Sequence, residues 1–220
     1  LGLVGSEMCI RDRLYIYHIM VTLKRNFFLM VSFFVTPLVM TYPDFNDFFS
    51  RSIIGGTTEY EVISDNHVRS YTNSGNSVFV TTDTFDVLDK NTASWQWKVL
   101  IPLEANERLR RNHDFAARII FCKSDGILPT QKRCLNYVWT DSVEKGTVWV
   151  NPWNSKQINI ALRDSQDGVD TWKEEKINLV EDFKKYLNID IKKIWGWGVI
   201  TDADNTRQIA SAEYKDFNFQ

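Results

Sequence analysis

The sequence is poor in the residues that usually mark a metal or catalytic site. It has only three histidines, His18, His67 and His113, and none has a partner at a metal-ligand spacing. It contains no C-x-x-C, H-E-x-x-H or G-x-S-x-G motif and no glycine-rich phosphate loop. The sequence therefore indicates no enzyme class, and we lean towards a protein without catalytic activity.

An excess of one charge is lacking too. The 26 lysines and arginines are mixed with 28 acidic residues, which gives a formal net charge of -2. Nucleic-acid binding requires a basic stripe, so nucleic acid is excluded as an expected partner. The chain also has no repeat, low-complexity tract or linker, and this favours one globular domain.

The longest apolar run, FFLMVSFFVTPLVM from Phe27 to Met40, is shorter than the roughly 20 residues of a membrane-spanning helix. It follows a start at Met20 and the basic pair Lys24 and Arg25, which is the order of a signal peptide. We expect a signal peptide over 20–41, a secreted or periplasmic protein, and one domain over 42–220 without a membrane span. Because no A-x-A cleavage site follows, an uncleaved anchor is the alternative.

Residues 1–19 are expected to lie outside the natural protein, as an artefact or an untranslated leader. The opening LGLVGSEMCIRDR, Leu1 to Arg13, resembles translated sequencing-adapter read-through. Without Cys9 in that stretch, Cys122 and Cys134 remain, and an even count fits an oxidising compartment. A disulfide across a hairpin and two buried free thiols are both open, because the sequence does not fix the Cβ geometry of a bridge.

Short segments rich in β-branched and aromatic residues follow one another along the chain, separated by breaks such as SDN, NSGN and SQDG. About ten strands at this spacing predict an all-β fold, an antiparallel β-sandwich of the jelly-roll or galactose-binding-like type. The predicted strands are EYEVIS, HVRSY, SVFVTT, ASWQWKVLI, FAARIIFC, CLNYVWT, TVWV, QINIALR, WKEEKINL, WGWGVIT and ASAEYKDFNF.

Only one helix is predicted, near residues 179–188. Asn178 can cap it, with Glu181 three positions later as in a capping box, and Val180, Phe183 and Leu187 form its apolar stripe.

Two polar clusters are candidate binding sites. In NHDFAAR, alternation places Asp114, Ala116 and Arg118 on one strand face, and Arg118 is expected to need a carboxylate partner from elsewhere.

In TDADNT, the polar residues Asp202, Asp204, Asn205 and Thr206 end a strand. Three interpretations stay open: a turn or buried network with Arg118, a Ca²⁺ site on Asp202, Asp204 and Asn205, or the polar part of a ligand site.

The tryptophans divide between core and surface. Trp195 and Trp197 share a face with Val199 and are predicted to be core, while Gly196 and Gly198 permit a close approach on the other face. Trp149 and Trp153 lie around Asn151-Pro152 and are the candidate sugar-stacking platform.

Ordered motifs over residues 60–219 resemble the bacterial family catalogued as domain of unknown function 3047. They are SWQWKV, DFAARIIF, LNYVWT, the run from Trp172 to Phe183, and VITDADNT followed by AEYKDFNF. The resemblance implies an exported, single-domain β-sandwich and implies no activity. Family members usually carry Asp-Asp before F-A-A-R, whereas this chain has His113 and Asp114.

The leading hypothesis is a non-catalytic β-sandwich that binds a glycan or another cell-envelope component, with Asp114, Arg118, Asp202, Asp204 and Asn205 in one cluster. The first alternative is a jelly-roll glycoside hydrolase or polysaccharide lyase, since one fold hosts both binding modules and catalysts. The second is a structural envelope protein with a buried Asp/Arg network.

Overall fold

The structure is a computed structural model that describes residues 43–53, 55–124, 126 and 131–220. The expected adapter segment, signal peptide and start of the domain at residue 42 lie outside the described residues. The described part of the chain contains no helix long and apolar enough to cross a membrane.

Two large sheets form a β-sandwich, as the strand pattern predicts. The strands are β1 (Phe49–Ser52), β2 (Glu59–Ser64), β3 (His67–Asn73), β4 (Asn76–Thr81), β5 (Phe85–Asp86), β6 (Thr92–Ile101), β7 (Phe115–Ser124), β8 (Lys132–Trp139), β9 (Val148–Val150), β10 (Gln157–Arg163), β11 (Lys173–Asn178), β12 (Lys193–Ile194), β13 (Gly196–Asp202) and β14 (Ile209–Phe219). The seven-stranded sheet has the order β1-β4-β13-β7-β8-β10-β9, the five-stranded sheet has the order β11-β6-β14-β3-β2, and β5 pairs with β12.

One strand pair departs from the predicted antiparallel arrangement. β10 runs parallel to β8, with Gln157 opposite Cys134, and antiparallel to β9 on its other side. The chain leaves β8, forms β9 two strand positions away, and returns as β10 in the position between them. Periodicity along a sequence does not encode this insertion.

Aromatic side chains fill the space between the sheets. Trp95 and Trp97 of β6 are 1% and 0% exposed, as their alternation predicts, and Trp197 of β13 is buried as well. The prediction for Trp195 is wrong, because this indole is 49% exposed. Trp195 precedes the first residue of β13, so its side chain does not follow the alternation of the strand.

The predicted helix is confirmed as α1, Leu179–Leu187. The Asn178 side-chain oxygen accepts hydrogen bonds from the backbone N–H groups of Val180 and Glu181 at 3.0 and 3.2 Å, and these bonds fix its first turn. Leu179 and Phe183 are fully buried against the core, which attaches the helix to the sandwich. Asn188 ends α1 in the left-handed conformation, with φ of 53°.

Cys122 and Cys134 lie directly opposite each other on β7 and β8 and form a disulfide, with Cα atoms 4.2 Å apart. Of the two alternatives open in the sequence, the structure contains the bridge. The bridge joins residues 12 positions apart, and a cross-link that closes so short a loop restricts the unfolded chain less than one that closes a long loop.

Close packing between β13 and β4 explains the glycines of WGWGV. A Cβ atom on Gly198 would lie 2.3 Å from the carbonyl oxygen of Phe79, and one on Gly196 would lie 3.1 Å from that of Thr81. The absence of a side chain on these glycines therefore lets the backbones of β13 and β4 pack closely, as the sequence allowed.

We expect Gly198→Ala to lower the free energy of unfolding by about 1–3 kcal/mol, because the new methyl group meets backbone that cannot move aside. Gly196→Ala is the matched control, with an expected loss below about 1 kcal/mol. Urea denaturation of both variants measures the difference, and equal losses would contradict the packing argument.

Candidate functional site

A β-bulge between β7 and β13 organises the polar cluster. Ile200 pairs with Arg118 and Asp202 pairs with Phe115, so Thr201 alone opposes both Ala116 and Ala117. Ala116 and Ala117 are both buried in the main core. The prediction that Asp114, Ala116 and Arg118 share one face by strict alternation is therefore wrong. The extra residue of the bulge interrupts the alternation, so Arg118 does not lie on the same face as Ala116.

Buried hydroxyl groups hold the bulge. The Thr201 hydroxyl donates to the carbonyl oxygen of Ala116 at 2.8 Å. The Tyr214 hydroxyl donates to the carbonyl oxygen of Ile200 at 2.8 Å and accepts from the backbone N–H of Arg118 at 3.3 Å. Sequence reasoning missed Tyr214, which lies inside AEYKDF and reads there as an ordinary strand aromatic.

Arg118 finds its carboxylate partner in Asp202. Its Nη2 atom lies 2.9 Å from Oδ2 of Asp202, and both side chains are under a tenth exposed. Oδ1 of Asp202 accepts from the backbone N–H of Phe115 at 3.3 Å, and the Arg118 guanidinium lies 5.2 Å from the centre of the Phe115 ring. The pair is thus sealed inside the protein.

Asp114 joins the same cluster through the turn after β13. Its Oδ1 accepts from the backbone and side-chain N–H groups of Asn205 at 3.3 and 2.8 Å. Its Oδ2 accepts from the backbone N–H and the hydroxyl of Thr206 at 2.6 and 2.7 Å. Asp204 accepts from the Asn76 amide at 2.9 Å. The structure therefore brings together Asp114, Arg118, Asp202, Asp204, Asn205 and Thr206.

These contacts favour a hydrogen-bonded network over a cation cage. Asp114, Asp202 and Asp204 each offer one oxygen within 4.8 Å of the others. However, Arg118 already supplies a positive charge to Asp202, and the Asn205 amide directs its N–H rather than its oxygen towards Asp114. Ca²⁺ coordination by Asp202, Asp204 and Asn205 stays a prediction.

A cavity of about 320 Å³ opens beside this cluster, at the end of the sandwich where β6 and β8 end and β7 and β14 begin. Four carboxyl side chains lie in its wall: Glu104, Glu107, Asp114 and Asp141. The other lining side chains include the apolar Val99, Leu103, Ala116, Trp139 and Val169, and the polar Thr140, Ser165 and Gln208.

The carboxylates of the wall differ in exposure. Asp114 and Glu107 are 0% and 1% exposed. Glu107 accepts from the Ser142 hydroxyl at 2.9 Å and from the backbone N–H of Asp141, and burial raises its pKa. Glu104 is exposed and Asp141 is half-buried, so these two side chains are the ones accessible to a ligand.

Neither tryptophan of the predicted sugar platform is among the residues that line this cavity. Trp149 packs 6.3 Å from the Phe115 ring, and Trp153, half-exposed, has the Arg110 guanidinium 4.0 Å from its ring centre. The indole in the cavity wall is Trp139, the last residue of β8. Its position two residues after the buried Tyr137 is the sequence signal that could have identified it as inward-facing.

Burial perturbs two titratable groups at this end of the sandwich. It raises the pKa of Asp202 to about 7, although the Arg118 charge acts in the opposite direction. It lowers the pKa of His113 to about 4. The His113 Nδ1 atom lies 2.5 Å from the carbonyl oxygen of Glu107, so this nitrogen carries a hydrogen and donates it; the bond acts against the lowering of the pKa, and burial is the larger effect.

Fold and site together define an all-β sandwich domain with an acidic cavity at one end. The family model described as Protein of unknown function (DUF3047) matches residues 50–218, and the chain belongs to this family. The comparison with the curated proteins found no match.

Two solved structures show a similarity of fold at low identity. The xyloglucanase domain of NopAA, a type three effector from Sinorhizobium fredii in complex with cellobiose, is 8% identical, with a TM-score of 0.42 over 79% of this chain and 92% of that chain. An exo-beta-agarase is 11% identical, with a TM-score of 0.32; the match covers 82% of this chain but only 24% of the agarase.

The opposite pKa shifts of Asp202 and His113 predict opposing effects of pH on stability. Between about pH 4 and 6.5 the unfolded chain binds a proton at His113 that the folded chain does not, so this residue makes stability rise with pH. Between about pH 4 and 7 the folded chain holds a proton on Asp202 that the unfolded chain has lost, so this residue makes stability fall with pH.

We expect Asp202→Asn to make the pH profile of unfolding free energy slope upwards, and His113→Asn to make it slope downwards, each by up to about 1.4 kcal/mol per pH unit relative to the parent. Urea denaturation from pH 4.5 to 7 measures these slopes whatever the absolute loss. Asp89→Asn, which removes a surface carboxylate, is the control. If unfolding free energy depends on pH with the same slope in the parent and in all three variants, the pKa shifts of Asp202 and His113 are refuted.

Proposed function

We propose that this is an exported protein that binds a carbohydrate or a related polar component of the cell envelope in the cavity at the end of its sandwich. The observation that carries the proposal is the cavity itself. Its volume of about 320 Å³ lies at the lower end of the range of small-molecule sites, roughly 300–1,000 Å³.

The wall of the cavity has the mixed chemistry that sugar recognition needs. Val99, Leu103 and Trp139 supply apolar surface for the C–H face of a ring. The exposed carboxylate of Glu104 and the half-buried one of Asp141 supply acceptors for hydroxyl groups.

The two buried acids of the wall are poorly placed for hydrolysis, which leaves Glu104 and Asp141 as the accessible carboxylates of the cavity. A glycoside hydrolase needs two carboxyl groups that reach the scissile bond from opposite sides. Asp114 and Glu107 are almost completely covered, and hydrogen bonds from Thr206, Asn205 and Ser142 engage their oxygens. Groups held in this way shape the wall of a site and do not approach a substrate.

The buried Arg118–Asp202 pair supports a structural role for the rest of the cluster. It lies behind Asp114 and is closed to solvent, so its contribution is to fix the bulge and the turn that follows β13. The proposal therefore assigns stability to Arg118 and Asp202 and ligand contact to the cavity.

Export is supported by the disulfide and by the order of residues 20–41. A disulfide between Cys122 and Cys134 persists in oxidising compartments and is rare in the cytosol. The basic pair followed by a short apolar run is the pattern of a secretory signal.

We expect Val169→Trp to weaken glycan binding at least tenfold, because the indole would occupy the mouth of the cavity. Val169 is 52% exposed at the rim, so the added bulk leaves the core unchanged. The measurement is calorimetric titration of the full chain with oligosaccharides from β-1,4-glucans, chitin and peptidoglycan.

Val150→Trp is the matched control, since Val150 is 53% exposed on the edge strand β9 and lies outside the residues that line the cavity. Equal affinity of both variants would place binding elsewhere, and no binding of any glycan by the parent would end the carbohydrate proposal. Release of new reducing ends during the titration would favour the hydrolase alternative instead.

Export has its own test. A periplasmic reporter enzyme fused after residue 41 should be active outside the cytoplasm, and Lys24→Glu with Arg25→Glu should reduce that activity because the signal loses its positive region. Reporter activity retained in the cytosolic fraction would contradict export.

A further inference from the structure

The charge of the cavity wall is one-sided. Among the described residues that line the cavity, four carry carboxyl groups and none is a lysine, arginine or histidine. A chain with almost balanced charge has thus concentrated acid at this one concave surface. Concave surfaces with low-dielectric walls focus such a field on whatever enters.

Two of the neighbouring cations, Arg118 and Arg163, are held by other carboxylates. Arg118, four residues after Asp114, is committed to Asp202 at 2.9 Å. Arg163, near the rim residue Ser165, is held by Glu175 at 2.5 Å and by Asp167 at 3.0 Å. Each cation therefore belongs to a carboxylate outside the cavity wall.

Asp114 acts as a fixed acceptor in the cavity wall. Each oxygen of Asp114 accepts two hydrogen bonds, from Asn205 or from Thr206, and this is the pattern of an ionised carboxylate, which only accepts. Asp114 cannot turn away to avoid a ligand of the wrong charge, because four bonds hold it. Its field, together with those of the exposed Glu104 and the half-buried Asp141, reaches the interior of the cavity.

We propose that the ligand of this cavity carries a positive charge, and specifically that it is a glycan containing amino sugars with free ammonium groups. This inference rests on the proposed function and narrows its ligand class. The sugar ring lies against the apolar wall, and the ammonium group lies beside Glu104 and Asp141. Uronic acids and sulfated or phosphorylated glycans are repelled.

The test compares four oligosaccharide probes by calorimetric titration of the full chain: a β-1,4-linked glucosamine tetramer, its N-acetylated form, cellotetraose and a galacturonate tetramer. We expect the glucosamine tetramer to bind at least tenfold more tightly than the N-acetylated form and cellotetraose, and the galacturonate tetramer not to bind. The preference should shrink as salt is added, because salt screens accessible charges.

Glu104→Gln combined with Asp141→Asn should bring the glucosamine tetramer and cellotetraose close to equal affinity. Both replacements keep the shape of the side chain and one acceptor oxygen while removing the charge. Glu144→Gln removes an exposed carboxylate outside the residues that line the cavity and is the control; it should leave the preference unchanged.

The outcomes separate the two proposals. Equal binding of the glucosamine tetramer and cellotetraose by the parent overturns the ammonium inference and leaves glycan binding intact. Binding of the diamine cadaverine, titrated under the same conditions, without binding of any glycan overturns both the carbohydrate proposal and the inference of an amino-sugar ligand. Binding of none of these probes overturns both.

Discussion

The ion pair between Arg118 and Asp202 is the constraint on which this end of the sandwich depends. Removing two charges from water costs several kcal/mol for each ion, and the cost is offset only where geometry and further hydrogen bonds are good. Here the 2.9 Å contact, the Phe115 N–H and the Phe115 ring offset part of this cost, but burial still raises the pKa of Asp202, and Nε of Arg118 has no hydrogen-bond partner among the described residues. The bulge makes this geometry available, because it places Asp202 opposite Phe115 while Arg118 stays opposite Ile200.

The bulge also determines where the remaining acids lie. The chain after Asp202 turns back over Asp114, so Asn205 and Thr206 meet its carboxylate. Asp114 thereby forms part of the cavity wall on one side and is bonded to the turn on the other. A rigid connection thus joins the buried ion pair to the cavity.

Regular elements were predictable from the sequence, and irregular ones were not. β2 and β10 coincide with the runs EYEVIS and QINIALR, because alternation and β-branched residues act over neighbouring positions. β1, β5 and β12 are too short to produce such a signal.

The β-bulge could not be predicted from the sequence, since it depends on how Thr201 meets two alanines from a strand some 80 residues earlier in the chain. The sequence predicted that Arg118 needs a carboxylate partner, and this need was the only reason to group Asp114 and Arg118 with TDADNT. The cavity could not be predicted from the sequence, because its wall combines the ends of strands that are distant in sequence.

The separation of exposed from buried carboxylates decides what this end of the molecule can do. Asp202 has a raised pKa because burial outweighs the attraction of Arg118, so its charge is costly and serves the fold. Glu104 and Asp141 reach solvent, where a carboxylate can change its partner from water to a ligand at small cost. Asp114 lies between these two sets, buried yet saturated with donors. A protein that used the cavity for acid catalysis would need an acid free to give up its proton. The buried Asp114 and Glu107 instead accept hydrogen bonds from the surrounding chain, so the accessible carboxylates of the cavity are Glu104 and Asp141.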